Sequence, residues 1–257
     1  MINTCIRFVL GLTLCIFASG CSLFHHHDIS SWKDVEGLPK KIAVYQGVFW
    51  GIGATTFREF IMTDGLFKDK TVYEIGTGAG VLALLAVQAG SKSVVATDID
   101  PDAVLNAQFN AKHFGVEDRI DVRLVSENTP GAYSVLKENE RFDFIISNPP
   151  WSDGKVSDLK DRQTNDEDLM LIKSIIKDLN HHLNPGGAAF LAIGDTNTIK
   201  RMETFAIEHN HKMEIVDEKT NEAFIKASAH PDPNGLFWPA AIIKITPLES
   251  RVNTGGM

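Results

Sequence analysis

The sequence predicts an α/β fold: a mostly parallel sheet with helices on both faces, closed by an antiparallel strand at its C-terminal end. Three observations carry this. Short β-branched and apolar runs alternate with helical patterns from residue 70 to about residue 210. A glycine cluster, Gly76, Gly78 and Gly80, falls between the first such run and the helical pattern after it. The last two candidate strands, residues 212–217 and 240–246, show no helix between them and are expected to pair antiparallel.

Taken in order, residues 70–75 (KTVYEI) form a β-branched and aromatic run ending at glycine, and residues 81–89 (VLALLAVQA) read as a helix stopped by Gly90. Residues 93–97 (SVVAT) are the second strand, and Pro101 opens a helix over 102–114. Strands follow at 119–125 and 141–147. A helix over 166–183 places Leu169, Ile172, Ile176, Leu179 and Leu183 on one face and ends at Asn184-Pro185-Gly186-Gly187. A strand at 188–193 and a helix at 196–210 complete the pattern, and no internal repeat is visible.

The 257 residues, 44% of them hydrophobic, suit one core of ordinary size. A net charge of -8 favours a protein over a nucleic-acid partner, because phosphate backbones are held by clustered Lys and Arg. All three cysteines, Cys5, Cys15 and Cys21, lie at the N-terminus, which leaves the body without a disulfide or thiolate metal site. The triplet His25-His26-His27 has no further ligand cluster nearby and reads as solvated leader.

In such a sheet, ligands bind beyond the carboxyl ends of the strands, where strand order reverses. Gly76, Asp98, Ser126 and Asn148 each follow a different predicted strand, so four features converge on one rim. Glycines in Glu74-Ile75-Gly76-Thr77-Gly78-Ala79-Gly80 allow a ligand close to the backbone, but the spacing is GxGxG, since Val81 stands where a dinucleotide fingerprint has its third glycine. Asp98 ends the second strand, where a carboxylate can accept hydrogen bonds from ribose hydroxyls; Asp100 suits helix capping before Pro101. After the fourth strand comes Ser147-Asn148-Pro149-Pro150-Trp151. Asn148 and Pro149 each precede a proline and are held extended.

EIGTGAG, ATDID and ISNPPW, in this order, resemble class I S-adenosylmethionine-dependent methyltransferases over roughly residues 44–246. The Asn-Pro-Pro-aromatic motif is similar to that of enzymes methylating planar nitrogens, either glutamine amides of proteins or amino groups of nucleobases. Gly47-Val48-Phe49 with Thr56 and Phe57 also resembles the small-domain members of that group and is expected to close over the cofactor.

The resemblance implies a Rossmann-like sheet and S-adenosylmethionine as cofactor, held by Glu74, Gly76, Thr77, Gly78, Gly80, Asp98 and Asn148, with Glu127 or a backbone group meeting the adenine. It implies that Asn148 and the Pro149 carbonyl accept hydrogen bonds from the target nitrogen while Trp151 stacks on the planar substrate. The expected acceptor is a protein, with a nucleic acid as the alternative and a non-catalytic lipid-anchored binding protein as the second; the chain is expected to be a monomer.

At the N-terminus, Arg7, the apolar run Phe8 to Phe17 and Ala18-Ser19-Gly20-Cys21 resemble a bacterial lipoprotein signal with lipidation at Cys21. The competing readings are an uncleaved anchor or a misplaced start, although the apolar run is short for a bilayer. The expected organisation is a signal at 1–21, a leader at 22–40, the methyltransferase domain at 41–248 and a disordered polar tail at 249–257. A lipid-anchored location is expected from the signal, and a cytoplasmic one from where the cofactor is made. Residues 152–165 read equally as a substrate lid or a surface loop, and Phe237 and Trp238 as core or as a border of the substrate opening.

Overall fold

The computed structural model describes residues 28–51, 55–229 and 235–248. The expected signal, Cys21, the His25-His26-His27 triplet and the expected tail lie outside the described residues.

The first two strands stand apart from the main sheet. Strand β1 (Ile29–Lys33) pairs antiparallel with β2 (Ile42–Tyr45), so β1 falls within the stretch expected to be a leader. The chain continues through α1 (Thr55–Ile61), β3 (Thr71–Ile75), α2 (Val81–Gln88), β4 (Ser93–Asp98), α3 (Pro101–Phe114) and β5 (Ile120–Leu124). Then come β6 (Phe142–Ser147), α4 (Met170–Lys177), α5 (Leu179–His182), β7 (Leu183–Asp195), α6 (Thr196–Glu208), β8 (His211–Ile215), α7 (Glu218–Ala229) and β9 (Leu236–Pro247).

The seven-stranded sheet runs β5-β4-β3-β6-β7-β9-β8. Its first five strands are parallel, and β9 lies antiparallel between β7 and β8. This is the Rossmann-like architecture predicted from the alternating pattern. After β5 the chain crosses β4 and β3 to lay down β6, so strand order reverses between β3 and β6. The crevice for a ligand opens there. One apolar core packs α1, α2 and α3 on one face of the sheet. A second, with Ile172, Ile175, Ile176 and Met202, packs α4 and α6 on the other.

Two expectations need correction. The single helix over 166–183 is broken: Asp168 and Leu169 take positive φ of 55° and 54°, and the Asp166 carboxylate accepts from the N–H groups of Leu171 and Ile172, so α4 begins at Met170. A second break at Asp178 separates α4 from α5. The antiparallel pairing of the last two strands is present, but a helix, α7, does stand between them. Its apolar residues form no clean stripe: Ile225 is exposed while Ala223 and Phe224 pack inward, so periodicity gave little signal.

Candidate active site

The loop from β3 to α2 forms one wall of the crevice. Its amides are spoken for: Gly76 and Thr77 both donate to the Thr97 carbonyl at 2.9 Å, and Gly78 donates to Asp98 Oδ2 at 2.8 Å. Asp98 Oδ1 accepts from the Asp100 amide at 3.0 Å, and Asp100 in turn caps α3 through the Asp102 amide at 2.9 Å. The capping role expected for Asp100 is the one the structure shows. Burial pushes the Asp98 carboxyl up to about 6, against the pull of the Asp100 and Gly78 amides.

Two glycines have specific steric reasons. Gly78, at φ 53°, lies so close to the Phe49 carbonyl that an added Cβ would overlap its oxygen. At Gly80, with φ 86°, an added Cβ would lie 3.2 Å from Ala107 of α3, so glycine lets α2 and α3 meet. The Ala79 amide donates to the Phe49 carbonyl at 3.0 Å, which fixes the segment before α1 across the glycine loop.

What positions that segment is a pair of buried asparagines on α3. Asn110 Oδ1 accepts from the Ala43 amide at 2.9 Å, and its Nδ2 donates to the carbonyls of Ala43 at 2.8 Å and Ala79 at 2.9 Å. Asn106 likewise accepts from the Tyr45 amide and donates to the Ala43 carbonyl. The two side chains do for the free edge of β2 what a neighbouring strand would do.

Phe49, Trp50, Glu74, Thr77, Leu82 and Asn148, with Gly51, Gly76 and Val81, line a narrow cleft that opens to solvent. Glu74 is fully buried; its Oε2 accepts from the Thr77 hydroxyl at 2.7 Å, while Oε1 has no hydrogen-bond partner. Burial first, and the nearby Asp98 second, push its carboxyl up to about 8, despite hydrogen bonds from Thr77 and the Ala83 amide. Across the cleft, the buried Asn148 Oδ1 also lacks a partner. Buried polar atoms are nearly always satisfied, and two unsatisfied acceptors on one cleft mark a place for donors from a ligand.

Asn148 owes its position to the end of β6. The Ser147 hydroxyl donates to the Ile75 carbonyl at 2.8 Å, which ties β6 to β3, and Pro149 is buried behind it. Trp151 does not line the cleft. Its Nε1 donates to the Ala192 carbonyl at 2.8 Å, its ring lies against Gly194, and its carbonyl accepts from the Thr198 hydroxyl at 2.6 Å. The ring meets Trp238 edge to face at 5.2 Å.

Of the expected site residues, Glu74, Gly76, Thr77 and Asn148 come together on the cleft, and Asp98, Gly78 and Gly80 build the loop behind it. Glu127 is exposed in the turn after β5 and is not among the lining residues. Residues 152–165 reach the other wall: Gln163 Nε2 donates to the Gly47 carbonyl at 2.7 Å. Trp50, Gly51, Val81 and Leu82 were missed from sequence. Among the described residues no group of three or more His, Cys, Asp or Glu could hold a metal, and no helix is long and apolar enough to cross a membrane.

Residues 53–149 match the family model for ribosomal protein L11 methyltransferase (PrmA), which is less than half of the chain. The Haemophilus influenzae (strain PittEE) ribosomal protein L11 methyltransferase is 40% identical over 101 residues, 38% of this chain and 34% of that protein. The one from Alteromonas mediterranea is 37% identical over 124 residues, 46% of this chain and 40% of that protein. The matched stretch thus spans about a third to two fifths of these curated relatives. Among solved structures, the ribosomal protein L11 methylase of Lactobacillus delbrueckii subsp. bulgaricus superposes with a TM-score of 0.55 at 20% identity, covering 79% of this chain and 83% of that one. Precorrin-6y C5,15-methyltransferase of Geobacter metallireducens gives 0.51 at 16% identity, covering 80% and 94%. The fold is that of the class I methyltransferases.

Proposed function

We propose that this chain, which shares its fold with class I methyltransferases and its residues 53–149 with the ribosomal protein L11 methyltransferase family, is an S-adenosylmethionine-dependent N-methyltransferase acting on a protein. The observation that carries the reading is the pair of buried acceptors without partners, Glu74 Oε1 and Asn148 Oδ1, on one cleft at the point where strand order reverses. The residues present fit the cofactor. Glu74 offers a carboxylate oxygen for its ammonium group, Asp98 retains lone pairs for ribose hydroxyls, and the glycine loop presents backbone without side chains.

When bound, S-adenosylmethionine supplies a methyl group made electrophilic by its sulfonium. The chain's own contribution is to orient the acceptor. Asn148 Oδ1 and the Pro149 carbonyl accept hydrogen bonds from the target N–H groups, which turns the nitrogen lone pair toward the cleft and excludes water from it. A planar amide or amino nitrogen gains most from this, because acceptors that favour a pyramidal nitrogen are worth more in the transition state than in the ground state. The names of the relatives make a ribosomal protein the first acceptor to try, and the net charge of -8 agrees with a protein over a nucleic acid.

The test is calorimetric titration of S-adenosylmethionine into the full chain, with Asp98→Asn as control. Micromolar uptake weakened at least tenfold in the control supports the reading. No uptake by folded protein sinks it and leaves a non-catalytic binding protein. Lipidation at Cys21 is a separate proposal resting on residues 7–21 alone; absence of palmitate-analogue label on the cellular protein would refute it. A cytoplasmic location is the alternative. That the chain is a monomer is likewise a proposal, which sedimentation decides.

A further inference from the structure

The described residues form a second concavity that the reaction outlined above does not use. It is an open groove between α7 and the start of β9. Ala223, Ala227 and Phe237 form its floor, Trp238 one wall, and Lys219 and Lys226 stand on its rim. Trp238 is 61% exposed, a large apolar ring left in water. It is also the ring that meets Trp151, three residues from Asn148, so the groove is continuous with the end of the Asn-Pro-Pro-Trp segment. Tryptophan is among the residues enriched as anchors of protein recognition.

We propose that this groove docks the methyl acceptor, through an extended protein segment that carries two acidic side chains flanking an apolar one. The inference rests on the methyltransferase reading and names its substrate class. Charge and spacing carry it. Lys219 and Lys226 are two helical turns apart, about 10.5 Å along α7 at the usual rise. An extended chain turns every second side chain to the same face, and four residues span about 13 Å. Carboxylates four positions apart therefore face both ammonium groups, the flexible lysine stems taking up the difference, and the apolar residue midway between them lies over Ala223 and Ala227. Glu222 lies between the two lysines in sequence, yet among the described residues no ion pair joins it to either, so both ammonium groups face the groove's mouth available to a partner. Glu222 leaves the rim with one net positive charge, too little to track a polyphosphate backbone. Protein is favoured over single-stranded nucleic acid for that reason.

Fluorescence polarisation of a labelled short peptide, with two glutamates four positions apart and a leucine midway between them, tests the groove on the full chain. Trp238→Ala and the double variant Lys219→Glu/Lys226→Glu are the controls, with S-adenosylmethionine titrated calorimetrically into all three. All changed side chains are exposed, so the fold is expected to persist. The expected result is saturable binding by the wild type, weakened at least tenfold in both variants and progressively by salt, with cofactor affinity unchanged throughout. Equal peptide binding by wild type and variants overturns the proposal. So does a wild type that ignores the peptide but binds an oligoadenylate through Trp238. Cofactor uptake without peptide binding overturns the groove alone. Peptide binding through Trp238 without cofactor uptake supports the groove as a docking surface and overturns the methyltransferase reading.

Discussion

Glu74 and Asn148 do different things with the same kind of unsatisfied oxygen, and pH separates them. A Glu74 carboxyl lifted to about 8 is largely protonated at neutral pH, yet it must be ionised to meet a cationic ammonium group. Cofactor binding is therefore expected to release close to one proton at pH 6 and about half a proton at pH 8, read from the dependence of binding enthalpy on the buffer's ionisation enthalpy. Affinity should rise by up to about tenfold per pH unit over this window and level off above it. Glu74→Gln should bind weakly at every pH and release none; proton release that survives this substitution would reassign the proton. Asn148 has no charge to change. Asn148→Ala should lower turnover by at least about a hundredfold, the scale of losing an oriented hydrogen-bond acceptor in a reacting geometry, and leave cofactor affinity within a few-fold. Equal loss of both would contradict its assignment to the acceptor. Both residues were legible in the sequence because each ends a strand, and strand ends meet at the switch point whatever the details of packing. Trp151 was legible as a position, but the hydrogen bond from its ring to β7 was not, because that partner is 41 residues away and no local pattern reports it.

At the scale of elements, the cleft exists because β2 and the segment after it are held against the glycine loop, and Asn110 of α3 bonds to both β2 and the loop. Its carboxamide serves Ala43 twice and Ala79 once, every group buried. Asn110→Ala takes the side-chain partner from the Ala43 amide and the Ala79 carbonyl, while the Ala43 carbonyl keeps Asn106, and it should cost about 2–3 kcal/mol in urea unfolding, each orphaned buried group being worth roughly 1–3 kcal/mol. A loss below about 0.5 kcal/mol would mean that water replaces the side chain. Cofactor affinity should fall as well, since the Phe49 carbonyl loses its fixed place on Ala79. The contribution of Asn106 and Asn110 could not be read from sequence, where polar residues on an amphipathic helix signify a solvated face. The same limit hid the break at Asp168: Leu169, Ile172 and Ile176 keep helical spacing across it, while the stop comes from the Asp166 carboxylate capping a new helix.

For the molecule as a whole, the site is a source of instability that the ligand removes. Glu74 and Asp98 both have folded pKa values above their ordinary ones, about 8 against 4.5 and about 6 against 3.8. The folded chain therefore holds more protons than the unfolded chain between these values, and stability must fall as pH rises through the window. What these groups contribute is fully present below about pH 4 and is lost by about pH 8 to 9. The carboxylates whose pKa is lowered, such as Glu140 beside Arg123, act only in acid, losing their contribution as pH falls toward about 2. The melting temperature of the free protein is thus expected to decline from pH 6 to 8.5. Saturating S-adenosylmethionine should raise it at every pH, by the equivalent of about 2.7 kcal/mol at a hundredfold excess over Kd. At fixed cofactor concentration the increment should grow toward pH 8, because the affinity grows. Scanning calorimetry of wild type and Glu74→Gln along that series checks the linkage. A slope that is the same in both proteins would show that some other group carries it, and the proton release assigned to Glu74 would then have to be reassigned.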